Sequence, residues 1–230
     1  MSTQNSNTFY LVRHGENPAN LTKEFSYKLV DYPLTAKGVL QAEQTAAFFQ
    51  SSLPPLTVAY ASPLRRARET GEIIAHAQQL PVTVLEEFRE INVGEMEQRP
   101  PTEENWREHD QIIGQWFKGQ PAISFPGGEN FLQLLERARR GLLEAAHGRD
   151  RKHILIAAHG GVLAALVYAF CPREHHLITH IIDNCAITQI KLETSSDAII
   201  DGTLLSWASV AHLSGQAAQL VSPLLEYDRT

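Results

Sequence analysis

Cysteine is scarce: Cys171 and Cys185 are the only two in 230 residues, at no metal-type spacing. They read as small buried hydrophobes in a reducing compartment, not as a disulfide framework. No stretch approaches the ~20 continuous apolar residues that cross a bilayer, so a membrane role is not expected. Basic excess is missing as well. Twenty Lys and Arg face 26 Asp and Glu, and the net charge of −6 argues against nucleic acid or an acidic membrane surface as partner. Any anionic substrate must then be held by a local cluster of positive groups. The stretch from Met1 to Thr8 lacks a basic segment leading into an apolar one, so no signal peptide is expected and the reading is cytoplasmic. The sequon Asn20-Leu21-Thr22 then carries no meaning. Internal repeats and low-complexity segments are absent too.

What is present is an ordinary globule, 43% hydrophobic and 20% charged, long enough for one α/β core with a small insertion. Short apolar runs alternate with longer amphipathic ones, the pattern of βαβ units around a mostly parallel sheet. Strands are expected at Phe9 to Val12, Val58 to Ala61, Val82 to Leu85 and Ile154 to Ala158. A closing pair, Ala186 to Leu192 and Leu204 to Val210, is joined through Asp197 to Gly202. Helices are expected from near Ala36, from Pro63 to His76, from Asn130 to His147 and from Gly161 to Phe170. The expected fold is a three-layer α/β/α sandwich forming one domain. From about residue 95 to 129 the periodicity fails, and that stretch, with Trp106 and Trp116, reads as a partly helical cap. The tail beyond Gly215 reads as folding back through Leu220, Val221, Leu224 and Leu225.

In an open α/β sheet, ligands bind at the carboxyl ends of the strands. Three strands carry polar chemistry there. The first ends in Arg13-His14-Gly15-Glu16, which sets an imidazole beside a guanidinium and a glycine. The second leads into Ser62-Pro63-Leu64-Arg65-Arg66. Ser62 suits an N-cap and Pro63 the first helical position, so the arginines fall in the first turn, where the helix dipole disfavours positive charge. Of these, Arg65 is assigned to an anion, while Arg66 and Arg68 are read as solvated. The Ile154-to-Ala158 strand leads into His159-Gly160-Gly161, which can aim backbone N–H groups and an imidazole at phosphate.

Together these residues resemble the histidine phosphatase superfamily, also called phosphoglycerate mutase-like. Arg13-His14-Gly15-Glu16 matches its RHGE motif, with Asn20 where a following asparagine is expected. Asp31-Tyr32-Pro33-Leu34-Thr35-Ala36-Lys37-Gly38, leading to Gln41-Ala42, resembles D-x-P-L-T-x-x-G-x-x-Q-A. The run from Ser62 to Thr70 resembles S-x-x-x-R-A-x-x-T, Phe88 to Gly94 resembles L-x-E-x-x-x-G, and Ala158 to Gly161 carries the second histidine. Pro126-Gly127-Gly128-Glu129 and Ala211-His212-Leu213 also have counterparts. The matches run in order from about residue 9 to residue 213. Asn17 departs from the usual small hydroxyl residue, and Gly94-Glu95-Met96-Glu97-Gln98 departs from the tryptophan-glutamate-glycine ending.

The resemblance implies a phosphoryl transfer in which His14 is the nucleophile and forms a phosphohistidine. Arg13, Arg65 and His159 would hold the phosphate oxygens, with Gly15, Asn20 and Gly160 completing the phosphate site. From the residues alone, the general acid could be Glu86, Glu87, Glu90 or Glu95; family spacing to Gly94 selects Glu90. No metal or cofactor is implied, because arginine and histidine supply the positive charge. His175, His176 and His180 include a metal-like spacing but read as a solvated or interface cluster. The implied substrate is a small phosphorylated metabolite. Hydrolysis of a phosphomonoester is preferred, because the cap offers only Arg99, Arg107 and Lys118 to a second acidic group. A phosphoglycerate mutase-type transfer and a catalytically silent phosphate-binding module are the alternatives.

Overall fold

The computed structural model describes residues 4–178, 181–219 and 221. Its centre is a six-stranded sheet in the order β3-β2-β4-β1-β5-β6. The strands are β1 (Asn5–Arg13), β2 (Val58–Ala61), β3 (Val82–Val84), β4 (His153–Ala158), β5 (Ile187–Thr194) and β6 (Ile199–Ser209). The β3–β2, β2–β4 and β4–β1 pairs are parallel, whereas β5 is antiparallel to both β1 and β6. The helices are α1 (Pro18–Thr22), α2 (Ala36–Ser52), α3 (Arg65–His76), α4 (Glu103–Phe117), α5 (Phe131–Ala146) and α6 (Gly160–Phe170).

The near-continuous apolar run of β1 has its reason in the layers, since both sheet faces are covered. Tyr10 and Val12 point to one face, where Phe49 of α2 and Ile74 of α3 pack. Phe9 and Leu11 point to the other, with Leu134 and Leu142 of α5 and Val162 and Leu166 of α6. The chain is thus an α/β/α sandwich on a mixed sheet. None of its helices, among the described residues, is long and apolar enough to cross a membrane.

Boundaries differ from the sequence reading where partners lie far away in the chain. β1 starts at Asn5, ahead of its apolar run, because Asn5 to Thr8 pair with Thr194 to Lys191 of β5. The Asn7 side chain there also bonds the Arg149 carbonyl and the Lys152 N–H. β6 likewise starts at Ile199, so the stretch read as a connection is mostly strand, with Thr194 facing Ile199. α3 starts at Arg65, with Leu64 at its N-cap and no capping side chain. Ser62 therefore does not cap it, and Pro63 lies outside the helix. The expected fold-back falls on Leu220, Leu224 and Leu225, which lie outside the described residues, as does His180.

In the stretch read as a cap, a 3-10 turn (Gly94–Gln98) precedes α4, which is capped by Thr102. Trp116 is buried, donates to the Ile123 carbonyl and packs on Phe125 and Phe131, so it belongs to the core.

Candidate active site

Strand register assembles the site. Arg13 stands opposite Ala158 in the β1–β4 pair, so the next residues, His14 and His159, emerge side by side with ring centroids 5.2 Å apart. Ala61 of β2 stands opposite Ala157, so Ser62 emerges next to them, its N–H bonded to the Ala157 carbonyl. All three side chains are buried.

The loop after His14 is held by close backbone packing. A Cβ on Gly15 would lie 2.5 Å from the Gly38 carbonyl oxygen, and one on Gly38 would lie 2.1 Å from that of Glu16. No side chain fits at either position. Thr35 caps α2 by accepting from Gly38 N–H, and its own N–H binds the Glu16 carbonyl. Gln41 accepts from Glu16 N–H and Thr70 from Gly15 N–H. The motif residues around Thr35, Gly38, Gln41 and Thr70 thus build a cradle for the histidine loop.

His14 Nδ1 lies 2.8 Å from the Gly15 carbonyl. A carbonyl only accepts, so Nδ1 carries the hydrogen and Nε2 keeps a free lone pair. Burial, followed by the nearby Arg66 and Arg13 guanidinium groups, holds the imidazole well below its usual pKa of 6.5. His159 is lowered in the same way, by burial first and then by Arg66. Its Nε2 lies 2.7 Å from Ser62 Oγ, while its Nδ1 is buried with no partner.

Two guanidinium groups face these rings. Arg13 donates through Nη1 to the Ile182 carbonyl, and its Nε is buried without a partner. Arg66 is buried and donates to Ser26 Oγ at 2.7 Å and to the Ser26 carbonyl at 2.8 Å. Burial lowers its pKa to about 10, which leaves it charged at neutral pH. Arg65, assigned to the anion on sequence, is turned away. It is half exposed and pairs with Glu69 at 2.7 Å. Successive helical positions lie about 100° apart, so only one of two adjacent arginines can face the strand ends. The motif already held that signal, since the arginine of S-x-x-x-R-A directly precedes the alanine, which here makes it Arg66.

Glu90 reaches the N-terminus of α6. Its Oε1 accepts from Ile91 and Val162 N–H, and its Oε2 from Gly161 N–H. Gly161 makes room for it, because a Cβ there would lie 2.7 Å from Glu90 Oε1. The segment before Glu90 is clamped by Arg137, which donates to the carbonyls of Glu87, Arg89 and Glu90 and pairs with Glu129. Asn20 forms a capping box with Asn17 at α1, and its Oδ1 also accepts from Asn184. Asn184 and Arg137 were missed on sequence, where nothing local marks them, since each acts across a long separation; Glu129 was noted in Pro126-Gly127-Gly128-Glu129 but given no role.

His14, Arg13, Arg66, Glu90, Asn20 and Gly160 border one cavity of about 710 Å³. Its far wall carries Trp106, Phe117 and Tyr168. Among the described residues, no three His, Cys, Asp or Glu side chains are placed to hold a metal ion.

The family model of the histidine phosphatase superfamily (branch 1) matches residues 9–201. The chain belongs to that superfamily. It is 30% identical over 205 residues to the uncharacterized phosphatase PhoE of Bacillus subtilis, covering 89% of this chain and 96% of that one. It is 31% identical over 217 residues to the probable phosphoglycerate mutase GpmB of Proteus mirabilis, covering 89% and 94%. Among solved structures, Bacillus stearothermophilus YhfR superposes with a TM-score of 0.71 at 28% identity, covering 90% of this chain and 98% of that one. A mycobacterial glucosyl-3-phosphoglycerate phosphatase superposes at 0.70 with 24% identity, covering 89% and 99%, a likeness of fold.

Proposed function

We propose that this protein hydrolyses a phosphomonoester through a phosphohistidine on His14, as one domain with residues 95–129 as its cap. The observation that carries this reading is the bond from His14 Nδ1–H to the Gly15 carbonyl, which leaves Nε2 free beside the guanidinium groups of Arg13 and the buried Arg66. Nε2 attacks phosphorus while the bond to the ester oxygen breaks, and Glu90 gives that oxygen a proton. Water then attacks the phosphohistidine, Glu90 takes its proton, and inorganic phosphate leaves. Arg13 and Arg66 stabilise the equatorial oxygens, and most of the acceleration comes from this preorganised charge. Ser62 Oγ already accepts from Leu64 N–H, so its own proton is free for His159 Nε2. Nδ1 of His159 then carries a hydrogen to offer a phosphate oxygen.

Hydrolysis is favoured over the mutase reading because the three cap cations do not line the cavity. Arg99 and Arg107 are paired with Glu108 and Glu103. A phosphate-binding module without turnover would have no use for Glu90.

The test is turnover of para-nitrophenyl phosphate, with acid-labile labelling of the protein during turnover. We expect both in the wild type and neither in His14→Ala. No turnover of any phosphomonoester by the wild type overturns the enzyme reading, and isomerisation of phosphoglycerate without net hydrolysis favours the mutase.

A further inference from the structure

The cavity is much larger than a phosphate needs, and its two ends differ in character. Charge is concentrated where Arg13, Arg66, His14 and Glu90 meet. Lys23, Glu24 and Asp183 also border the cavity, and Lys23 and Asp183 lie close enough to Arg13 to interact with its charge. Most polar side chains of the wall are engaged with the protein, although Asn17 Nδ2 is buried without a partner. Asn17 and Asn20 cap α1, Asn184 binds the His14 carbonyl and Asn20, and Ser26 holds Arg66.

The rest of the wall is mainly apolar and built from packed rings, with His109 against Phe25 and Trp106 as a polar member. Phe25 packs on Trp106 with centroids 4.4 Å apart, and Phe117 packs on Tyr168 at 4.5 Å. Trp106 spends its N–H on the Lys23 carbonyl, so what it adds to the cavity is apolar surface. Gly160, Ala164 and Tyr168 all border the cavity at four-residue spacing on α6. That row extends about 12 Å from the phosphate end. At the far end Phe117 and Ile181 are 41% and 55% exposed, apolar area that an equally apolar ligand would cover.

We infer that the leaving group is a bulky apolar alcohol, alkyl or aryl, that extends from the phosphate end along α6 between these ring pairs. This rests on the hydrolase reading above. A second acidic or heavily hydroxylated group laid along α6 would meet ring faces and aliphatic side chains, and would lose its hydration there. An alkyl or aryl group gains from leaving water in proportion to its area.

An n-alkyl phosphate series tests this, because ethyl, butyl, hexyl and octyl alcohols are nearly equal as leaving groups and differ in apolar area. Below micellar concentrations, kcat/KM is expected to rise by roughly two- to fourfold per methylene until the chamber is filled. 3-Phosphoglycerate should be slower than butyl phosphate. Trp106→Ala should cut the octyl-to-ethyl ratio by about tenfold. A flat or falling series, with ethyl phosphate or 3-phosphoglycerate hydrolysed, overturns the inference and leaves the hydrolase reading standing. Calorimetry with non-hydrolysable alkylphosphonates reads the chamber without turnover: octylphosphonate should bind at least tenfold tighter than ethylphosphonate, and equal binding overturns the inference even if no ester is hydrolysed.

Discussion

Ser62 Oγ lies 2.7 Å from His159 Nε2, and this contact leaves the opposite nitrogen of the ring, Nδ1, buried and unpartnered at the site. A buried polar atom without a partner is costly, and in the proposed mechanism a phosphate oxygen supplies what it lacks. Ser62→Ala removes the group that sets the tautomer. The expected loss in kcat/KM is about tenfold, the scale of one hydrogen bond. Para-nitrophenyl phosphate kinetics with nitrogen NMR of the imidazole would check it. An unchanged tautomer with unchanged kcat/KM would refute the role.

Adjacent arginines provide a sharper contrast. Arg66→Ala removes a buried guanidinium that faces His14, and kcat/KM should fall at least 100-fold, the scale of losing one preorganised charge contact. Arg65→Ala breaks only a half-exposed pair with Glu69 and should change kcat/KM by less than about threefold. Equal losses in the two variants would mean that the site uses both.

Gly161→Ala would press a methyl group to within 2.7 Å of Glu90 Oε1 and 2.6 Å of Ile91 Cδ1. Displacing the proposed general acid should matter most when the leaving oxygen needs a proton. Phenyl phosphate turnover is therefore expected to fall about tenfold further than that of para-nitrophenyl phosphate. The same loss on both substrates would argue that Glu90 donates no proton.

Acid should destabilise the fold through its histidines. His14 and His159 are held well below 6.5, and burial lowers His212 to about 4. The unfolded imidazoles bind protons near pH 6.5 while these native ones do not, so stability is full above 6.5 and is lost as pH falls. Each histidine is expected to remove about 1.4 kcal/mol between pH 7.5 and 5.5. Urea unfolding at the two pH values would measure the fall, which should be smaller in His159→Gln. Stability that rises on acidification would contradict the burial-driven shifts.

Much of this site could be read locally. A short apolar run ending in a histidine and a glycine is a strand that delivers an imidazole to the sheet edge, and the chain does this at His14 and again at His159. The motif spacing also singled out Glu90, which the structure sets on the same cavity. The choice between Arg65 and Arg66 depends on where α3 begins, and Ser62 looked like a cap until the extended Leu64 delayed the helix. Trp106 and Trp116 look alike in sequence, yet one borders the cavity and the other is core.

By itself the sequence determined what short-range chemistry determines: the alternation of strands and helices, the two histidine turns, and the glycines that let Gly15 and Gly38 touch. Tertiary structure alone decided that Arg65 turns away to Glu69, which nitrogen of His159 is left open, and that Arg137 braces the carbonyls around Glu90 from 47 residues away. Those outcomes depend on distances between segments, and a distance between segments exists only once β1, β2 and β4 lie side by side.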